Sequence, residues 1–226
     1  MNDKFLSVEI RTQNLDMINY TYLIIDNYTK KATIIDPAWE FDKVTSIIKK
    51  YDANLVSILL THSHNDHVNL VEKLVEKFDV DVYMSKEEAS FYEYKTRNLK
   101  LINDNEIIIL GNTQIKCILT AGHTHGSMCF FVEDQKLFTG DTLFVEGCGR
   151  CDLFGGSADE MFNSIKKIKN GIPQNVKIYP GHSFGFKGGV ELKELDKFNF
   201  YYNIESKDNF IMFRMRKNQN MNNVFK

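Results

Sequence analysis

Apolar residues in this chain fall into short runs that alternate with segments of helical spacing. Residues 5–10, 20–26 and 31–36 have strand character. Tyr22-Leu23-Ile24-Ile25-Asp26 and Ala32-Thr33-Ile34-Ile35-Asp36 are short and β-branched, and Asn27-Tyr28-Thr29-Lys30 between them predicts a hairpin. Asp36-Pro37 ends the second run, since proline cannot donate to a ladder. Phe41, Val44, Ile47 and Ile48 share one face of a helix over 41–50. Leu55-Val56-Ser57-Ile58-Leu59-Leu60 reads as a strand buried on both faces, and it runs directly into Thr61-His62. Leu70, Val71, Leu74, Val75 and Phe78 predict a helix over 67–78, followed by a strand over 80–84. Ser85 then caps a helix over 86–93.

The second half repeats this layout. Strands are expected at 106–110, 114–119, 127–133 and 136–139, then a glycine-rich loop over 147–156. Ser157 with Glu160 has the spacing of a capping box for a helix to about residue 169. Val176-Lys177-Ile178-Tyr179 is a strand ending at Pro180-Gly181-His182. A helix near 190–198 and an Asn- and Lys-rich tail complete the chain. No Pro-, Gly- or Ser-rich linker divides the sequence. The layout predicts one α/β domain over residues 1–226, with two sheets face to face and helices outside.

Composition changes this picture little. Of 226 residues, 43% are hydrophobic, as in ordinary globular proteins. A formal charge of −2 gives no concentrated basic face, so neither nucleic acid nor a membrane surface is an expected partner. The N-terminus has no signal-like segment, and no apolar run approaches the roughly 18–20 residues of a bilayer span, so the cytoplasm is the expected location. Of the four cysteines, Cys148 and Cys151 have C-x-x-C spacing. Without a second Cys pair or a thioredoxin-like surround they read as thiols of the loop, neither a redox pair nor a zinc knuckle.

The chemistry lies in the six histidines. His62, His64 and His67 follow one strand with Asp66 among them, His123 and His125 share Gly122-His123-Thr124-His125-Gly126, and His182 follows another strand. Asp66 and Asp141 also sit just past expected strand ends, where α/β proteins gather ligands. Imidazole and carboxylate suit zinc without thiolates. The i, i+2 spacing aims His62 and His64 the same way, and Asp66 and His67 can reach a second ion at the separation of about 3.5–4 Å usual for paired sites.

Thr61-His62-Ser63-His64-Asn65-Asp66-His67 resembles the signature of the metallo-β-lactamase superfamily. Ala121-Gly122-His123-Thr124-His125-Gly126-Ser127, Gly140-Asp141-Thr142-Leu143-Phe144 and Pro180-Gly181-His182 follow in that family's order. The resemblance covers about residues 5–185 and implies a four-layer αββα sandwich with two Zn2+ ions, or iron or manganese in the same ligands. It implies that His62, His64 and His123 hold the first ion, that Asp66, His67 and His182 hold the second, and that Asp141 bridges them. Asn69 stands where relatives commonly have glycine. His125 is either a partner of a ligand or a loop residue near the site.

Within the family, the Gly140–Arg150 segment is similar to the glyoxalase II branch, and its continuation to Gly156 to acyl hydrolases associated with polyketide assembly. The implied reaction is hydrolysis of a thioester, small-molecule or carrier-protein-bound, by metal-activated hydroxide, with Asp66 orienting it and taking its proton. About 40 residues follow His182; from about residue 190 to 226 they resemble the short C-terminal cap of compact members, shorter than the helical domain that helps glyoxalase II enzymes to hold glutathione. An iron-dependent persulfide dioxygenase and an inactive carrier-protein binding module are the alternatives. Arg150 reads equally as a substrate contact or a salt-bridge partner, and Arg214, Arg216 and Lys217 as a carrier contact or a solvated tail.

Overall fold

The computed structural model describes residues 3–217. Strands β1 (Phe5–Asn14), β2 (Met17–Asp26) and β3 (Lys31–Ile35) form an antiparallel meander. Helix α1 (Phe41–Lys50), strand β4 (Asn54–Leu59), helices α2 (Asn65–Val68) and α3 (Val71–Phe78), strand β5 (Asp81–Ser85), helix α4 (Lys86–Phe91) and strand β6 (Leu99–Ile102) then add parallel strands in the order β1-β2-β3-β4-β5-β6. The second sheet holds β7 (Ile107–Leu110), β8 (Thr113–Leu119), β9 (Met128–Val132), β10 (Lys136–Gly140), β11 (Lys177–Pro180) and β12 (Val190–Glu191). Helix α5 (Ala158–Gly171) links β10 to β11, which pair in parallel. A 3-10 helix (Leu192–Lys197), α6 (Phe200–Asn203) and α7 (Lys207–Arg214) follow.

Alternation along the strands creates three apolar layers. In β2, Tyr22 and Ile24 face the second sheet, while Leu23 and Ile25 face the layer of α1 and α3. In β9, Met128, Phe130 and Val132 enter the inter-sheet core, while Cys129 and Phe131 face the layer of α5. Successive side chains of a strand point to opposite faces, so an unbroken apolar run is the signature of a strand covered on both sides. The result is the expected αββα sandwich. No helix among the described residues is long and apolar enough to cross a membrane.

Several local expectations need correction. The 67–78 segment is two helices, because Leu70 N–H donates to Pro37 O at 3.3 Å and the chain bends at Asn69. The capping box of α5 is half formed: Ser157 Oγ accepts from Glu160 N, but Ser157 N–H donates to Gly122 O at 2.8 Å. Residues 190–198 are not an α-helix, since Val190 and Glu191 pair with β11 before a 3-10 turn. Strand β6 was not anticipated; it is four residues long and at a sheet edge. Neither were α6 and α7, which pack on α5 through Tyr201, Tyr202 and Phe210. Residues 218–226 of the expected cap and tail lie outside the described residues.

Asp26 ties the two sheets together at the end remote from the histidines. Fully buried, it accepts from Thr29 N and Oγ1, Asn112 N and Thr113 Oγ1 at 2.7–3.0 Å. Burial pushes its carboxyl up, but these donors outweigh that and hold it below the ordinary 3.8. A depressed folded value means stability that is fully present above the unfolded value and lost as pH falls through the folded one. Asp26→Ala is expected to cost about 3 kcal/mol in urea unfolding at neutral pH, because the buried Thr113 hydroxyl and three part-buried donors lose a charged acceptor. The difference from wild type should shrink below pH 3.8; a pH-independent difference would contradict the charge argument.

All four cysteines are buried and unpaired. Cys148 and Cys151 belong to the loop after β10 but enter the apolar layer beneath α5. Burial pushes Cys117 and Cys148 up to about 12, Cys129 to about 11 and Cys151 well above its usual value. Thiolates are the reactive species. A thiol-specific reagent at pH 7.5 should therefore titrate none of the four in the native protein and all four after denaturation.

Candidate metal centre

The seven implied ligands meet at the C-terminal ends of parallel strands from both sheets. His62 follows β4. His64 precedes α2 in extended conformation, and that single helical turn presents Asp66 and His67 together. Asp141 follows β10, and His182 follows β11 through Gly181. His123 stands between β8 and β9. The sheets are joined here by Tyr20 N–H to Gly181 O at 2.8 Å, Tyr22 Oη–H to Pro180 O at 2.7 Å and Met128 N–H to Thr61 O at 2.8 Å. Two glycines permit the close approach. A Cβ on Gly149 would lie 2.1 Å from Asp141 O and 2.8 Å from His123 Nδ1. One on Gly181 would lie 2.7 Å from both Asp141 Oδ1 and His67 Cε1.

Hydrogen bonds fix the ring faces. His123 Nδ1–H donates to Arg150 O at 2.8 Å and His182 Nδ1–H to Ile18 O at 2.7 Å. His67 Nδ1–H donates to Asp36 Oδ2 at 2.9 Å. Thr61 Oγ1 gives its proton to Asp36 Oδ2 at 2.6 Å, so His62 Nδ1–H donates to Thr61 Oγ1 at 3.0 Å. These tautomers follow from the network. They leave the Nε2 lone pairs of all four rings aimed inward. His64 differs, with Nδ1 3.0 Å from His123 Nε2.

Two donor groups result, His62–His64–His123 and Asp66–His67–His182, each with ligand atoms within 4.8 Å of one another. Asp141 stands between them, with Oδ1 3.5 Å from His67 Nε2 and Oδ2 3.6 Å and 3.5 Å from His123 and His182 Nε2. A third grouping, Asp36–His62–His67, satisfies the same distance. However, Asp36 is already occupied as an acceptor by Thr61 N, Thr61 Oγ1 and His67 Nδ1. It is the carboxylate behind a histidine, which orients the ring and raises its basicity.

The donor atoms fit a cation better than they fit one another. His62 Nε2, His67 Nε2 and Asp141 Oδ1 are buried without a hydrogen-bond partner. A buried polar atom left unsatisfied is costly, and three converging on one space are what a metal-ligand set looks like without its ion. Burial, with the neighbouring rings, pushes His62 well below its usual value, and burial pushes His123 down to about 4. His64 is lowered by burial as well. In the second group burial opposes protonation, but Asp141 and Asp36 raise His67, and Asp141 and Asp66 raise His182. Asp66 is held well below the carboxylate range by His182, His67 and Asn19, although burial opposes its charge.

Sequence reasoning missed the supports. Asp36 is the first residue after β3, whose last residue Ile35 pairs with Leu59 of the strand that leads into His62, so its place at a strand end beside the histidines was a signal available in the chain. Glu88, fully buried, accepts from Ser63 N and Oγ at 2.8 and 2.7 Å and from Gly126 N at 2.9 Å, joining the two histidine-bearing loops. Nothing in Lys86-Glu87-Glu88 announced this. Asn19 donates to Asp66, and Trp39 to Asn19.

His125 does not touch a ligand: it is exposed and stacked on Phe91, centroids 4.4 Å apart. The Arg150 side chain makes a bidentate surface pair with Asp152 at 2.9 and 2.8 Å. Arg214, expected in a tail that is solvated or contacts a carrier, is instead 1% exposed and lies against Tyr201, while Arg216 and Lys217 are exposed.

A profile of the Metallo-beta-lactamase superfamily matches residues 15–182. The chain is 45% identical to the "Probable polyketide biosynthesis zinc-dependent hydrolase PksB" of Bacillus subtilis (strain 168) over 97% of both chains. It is 48% identical to the protein of the same description, BaeB, of Bacillus velezensis over 93% of both. A hydroxyacylglutathione hydrolase of Dictyostelium discoideum is 34% identical over 81% of this chain and 71% of its own. Among solved structures, that of ETHE1 from Myxococcus xanthus superposes with a TM-score of 0.84 at 26% identity, covering 96% of this chain and 94% of that one.

Proposed function

Since the chain belongs to the metallo-β-lactamase superfamily, we propose that it is a zinc-dependent hydrolase of acyl thioesters working with two ions. His62, His64 and His123 hold one ion, Asp66, His67 and His182 the other, and Asp141 serves both. The two sheets share this single ligand set and act as one catalytic domain. The observation that carries the reading is the convergence of the partnerless buried atoms of His62, His67 and Asp141 on the space between two donor groups.

Two divalent ions in such a site polarise a carbonyl and bring the pKa of water toward about 7. The chain itself supplies orientation. Asp36, Arg150 O and Ile18 O hold three rings by Nδ1–H, so their Nε2 atoms cannot turn away. Asp66, ionised across the neutral range, is the hydrogen-bond acceptor that orients the attacking water. Phe144 and Phe184 set apolar rings 6.3 and 6.4 Å from His182. A thiol of ordinary pKa near 8.5 leaves as thiolate without an acid, which favours thioesters over amides. The descriptions of the two Bacillus relatives favour an acyl group of polyketide assembly on a carrier protein as the substrate.

The test is metal content of the purified protein together with turnover of glutathione, coenzyme A and carrier-protein thioesters. Two zincs per chain and cleavage of the carrier-bound class are expected. One iron, no thioester turnover and oxygen uptake with a persulfide would replace this reading with the dioxygenase. Bound metal without turnover of any thioester would favour a binding module.

A further inference from the structure

We infer that Trp39, acting through Asn19, is a positioning residue that fixes the carboxylate of Asp66 for the second ion; this rests on the reading of Asp66 as a ligand given above. The indole Nε1–H donates to Asn19 Oδ1 at 2.7 Å. Asn19 Nδ2 in turn donates to Asp66 O at 2.8 Å and to Asp66 Oδ2 at 3.1 Å. An indole N–H can only donate and a main-chain carbonyl can only accept. The Asn19 amide therefore has one acceptable orientation. Turned over, it would set its oxygen against the carbonyl and carboxylate of Asp66 and its NH2 against the indole N–H. Asn19 is 2% exposed, so water cannot take either role.

Trp39 is itself fastened to the element it orients. Its main-chain N–H donates to Asn69 Oδ1 at 2.8 Å, and Asn69 Nδ2 donates to Asn65 O at 2.7 Å, at the first residue of α2. The circuit α2–Asn69–Trp39–Asn19–Asp66 thus closes on α2. It gives a role to the asparagine that stands in place of the glycine expected at position 69. The turn that carries Trp39 begins at Asp36, and both residues have left-handed backbone, φ +49° at Asp36 and +65° at Trp39. Such conformations in non-glycine residues persist where the surroundings over-determine them, and they concentrate at functional sites. One end of this turn holds His67 by Nδ1, and the other holds Asp66 through Asn19. Both ligands of α2 are therefore aimed from one four-residue segment.

Trp39 is the only tryptophan in the chain, so all tryptophan emission comes from the first residue of this relay. The experiment is a zinc titration of metal-free protein, followed by tryptophan emission and by competition with a chromogenic chelator, in wild type, Trp39→Phe and Asn19→Ser. The emission of wild type should change as the Asp66 group fills. Each variant should bind that ion about 10–100-fold more weakly. The ion of the three-histidine group should keep its affinity, and the metal-free melting temperature should stay close to that of wild type. Asn19→Ser should also lose the emission response while keeping its tryptophan. A merely structural role would lower the melting temperature and weaken both ions together. Unchanged affinity for both ions in the two variants would overturn the relay. Wild type taking up a single ion would overturn the two-ion reading instead. The relay is then judged on that ion, and an Asn19→Ser protein that holds it as tightly as wild type overturns it too.

Discussion

Replacing Asp141 by Asn is expected to lower kcat/KM toward the best thioester by at least about a thousandfold while leaving the fold intact. The carboxylate faces both donor groups, 3.5 Å from His67 Nε2 and 3.5–3.6 Å from His182 and His123 Nε2. An amide of the same shape removes the charge and turns an NH2 group toward ring lone pairs. Metal-ion chemistry contributes several kcal/mol to a transition state, and each 1.36 kcal/mol is tenfold in rate. The fold should survive, because the main-chain oxygen of Asp141 still accepts from Gly149 N at 2.9 Å. Steady-state kinetics, metal content and melting temperature are the measurements. A variant that keeps both ions and a tenth of the activity would remove Asp141 from the centre of the reading.

Stripping the metal is expected to lower the melting temperature by roughly 8–16 °C, and restoring zinc should recover it. An ion that binds only the folded chain stabilises it by about 4 kcal/mol when its free concentration is a thousand times its Kd. For 150–250 residues, each kcal/mol is worth roughly 2–4 °C. The ligand set assembles only when both sheets are in place, so the unfolded chain has no comparable site. Thermal melts with and without a chelator test this, and Asp141→Asn should show a smaller shift than wild type. A chelated protein that has demonstrably lost its ions yet melts at the same temperature would show that the ligands add nothing to the union of the sheets.

The sequence disclosed most of what depends on period and residue type. The boundaries of α1 were read to the residue from Phe41, Val44, Ile47 and Ile48. The unbroken run of β4 announced burial on both faces, and β9 was legible as a strand. The strand ends carrying His62, Asp141 and His182 were legible because histidine and aspartate interrupt apolar runs there. What stayed hidden depends on contacts distant in sequence. Glu88 looks like any acidic residue in the first turn of a helix, and only the approach of the Ser63 and Gly126 amides gives it a role. Ser157 was identified as a cap, but the nearness of Gly122 redirected its amide from Glu160. Arg214 read as tail charge, because no local pattern indicates that α7 folds back onto Tyr201.

The division of the sheets at residues 103–106 has an architectural consequence. Residues 5–102 contain one whole sheet, and residues 107–191 contain the other. Backbone continuity between them is a single short joint on the surface. The first half carries His62, His64, Asp66 and His67, and the second carries His123, Asp141 and His182, so neither holds a complete donor group of the proposed centre. During synthesis, the centre cannot close until residue 182 has left the ribosome. In architectural terms the molecule is two segments, each with its own sheet and outer helices, and the proposed centre lies along the seam where they meet.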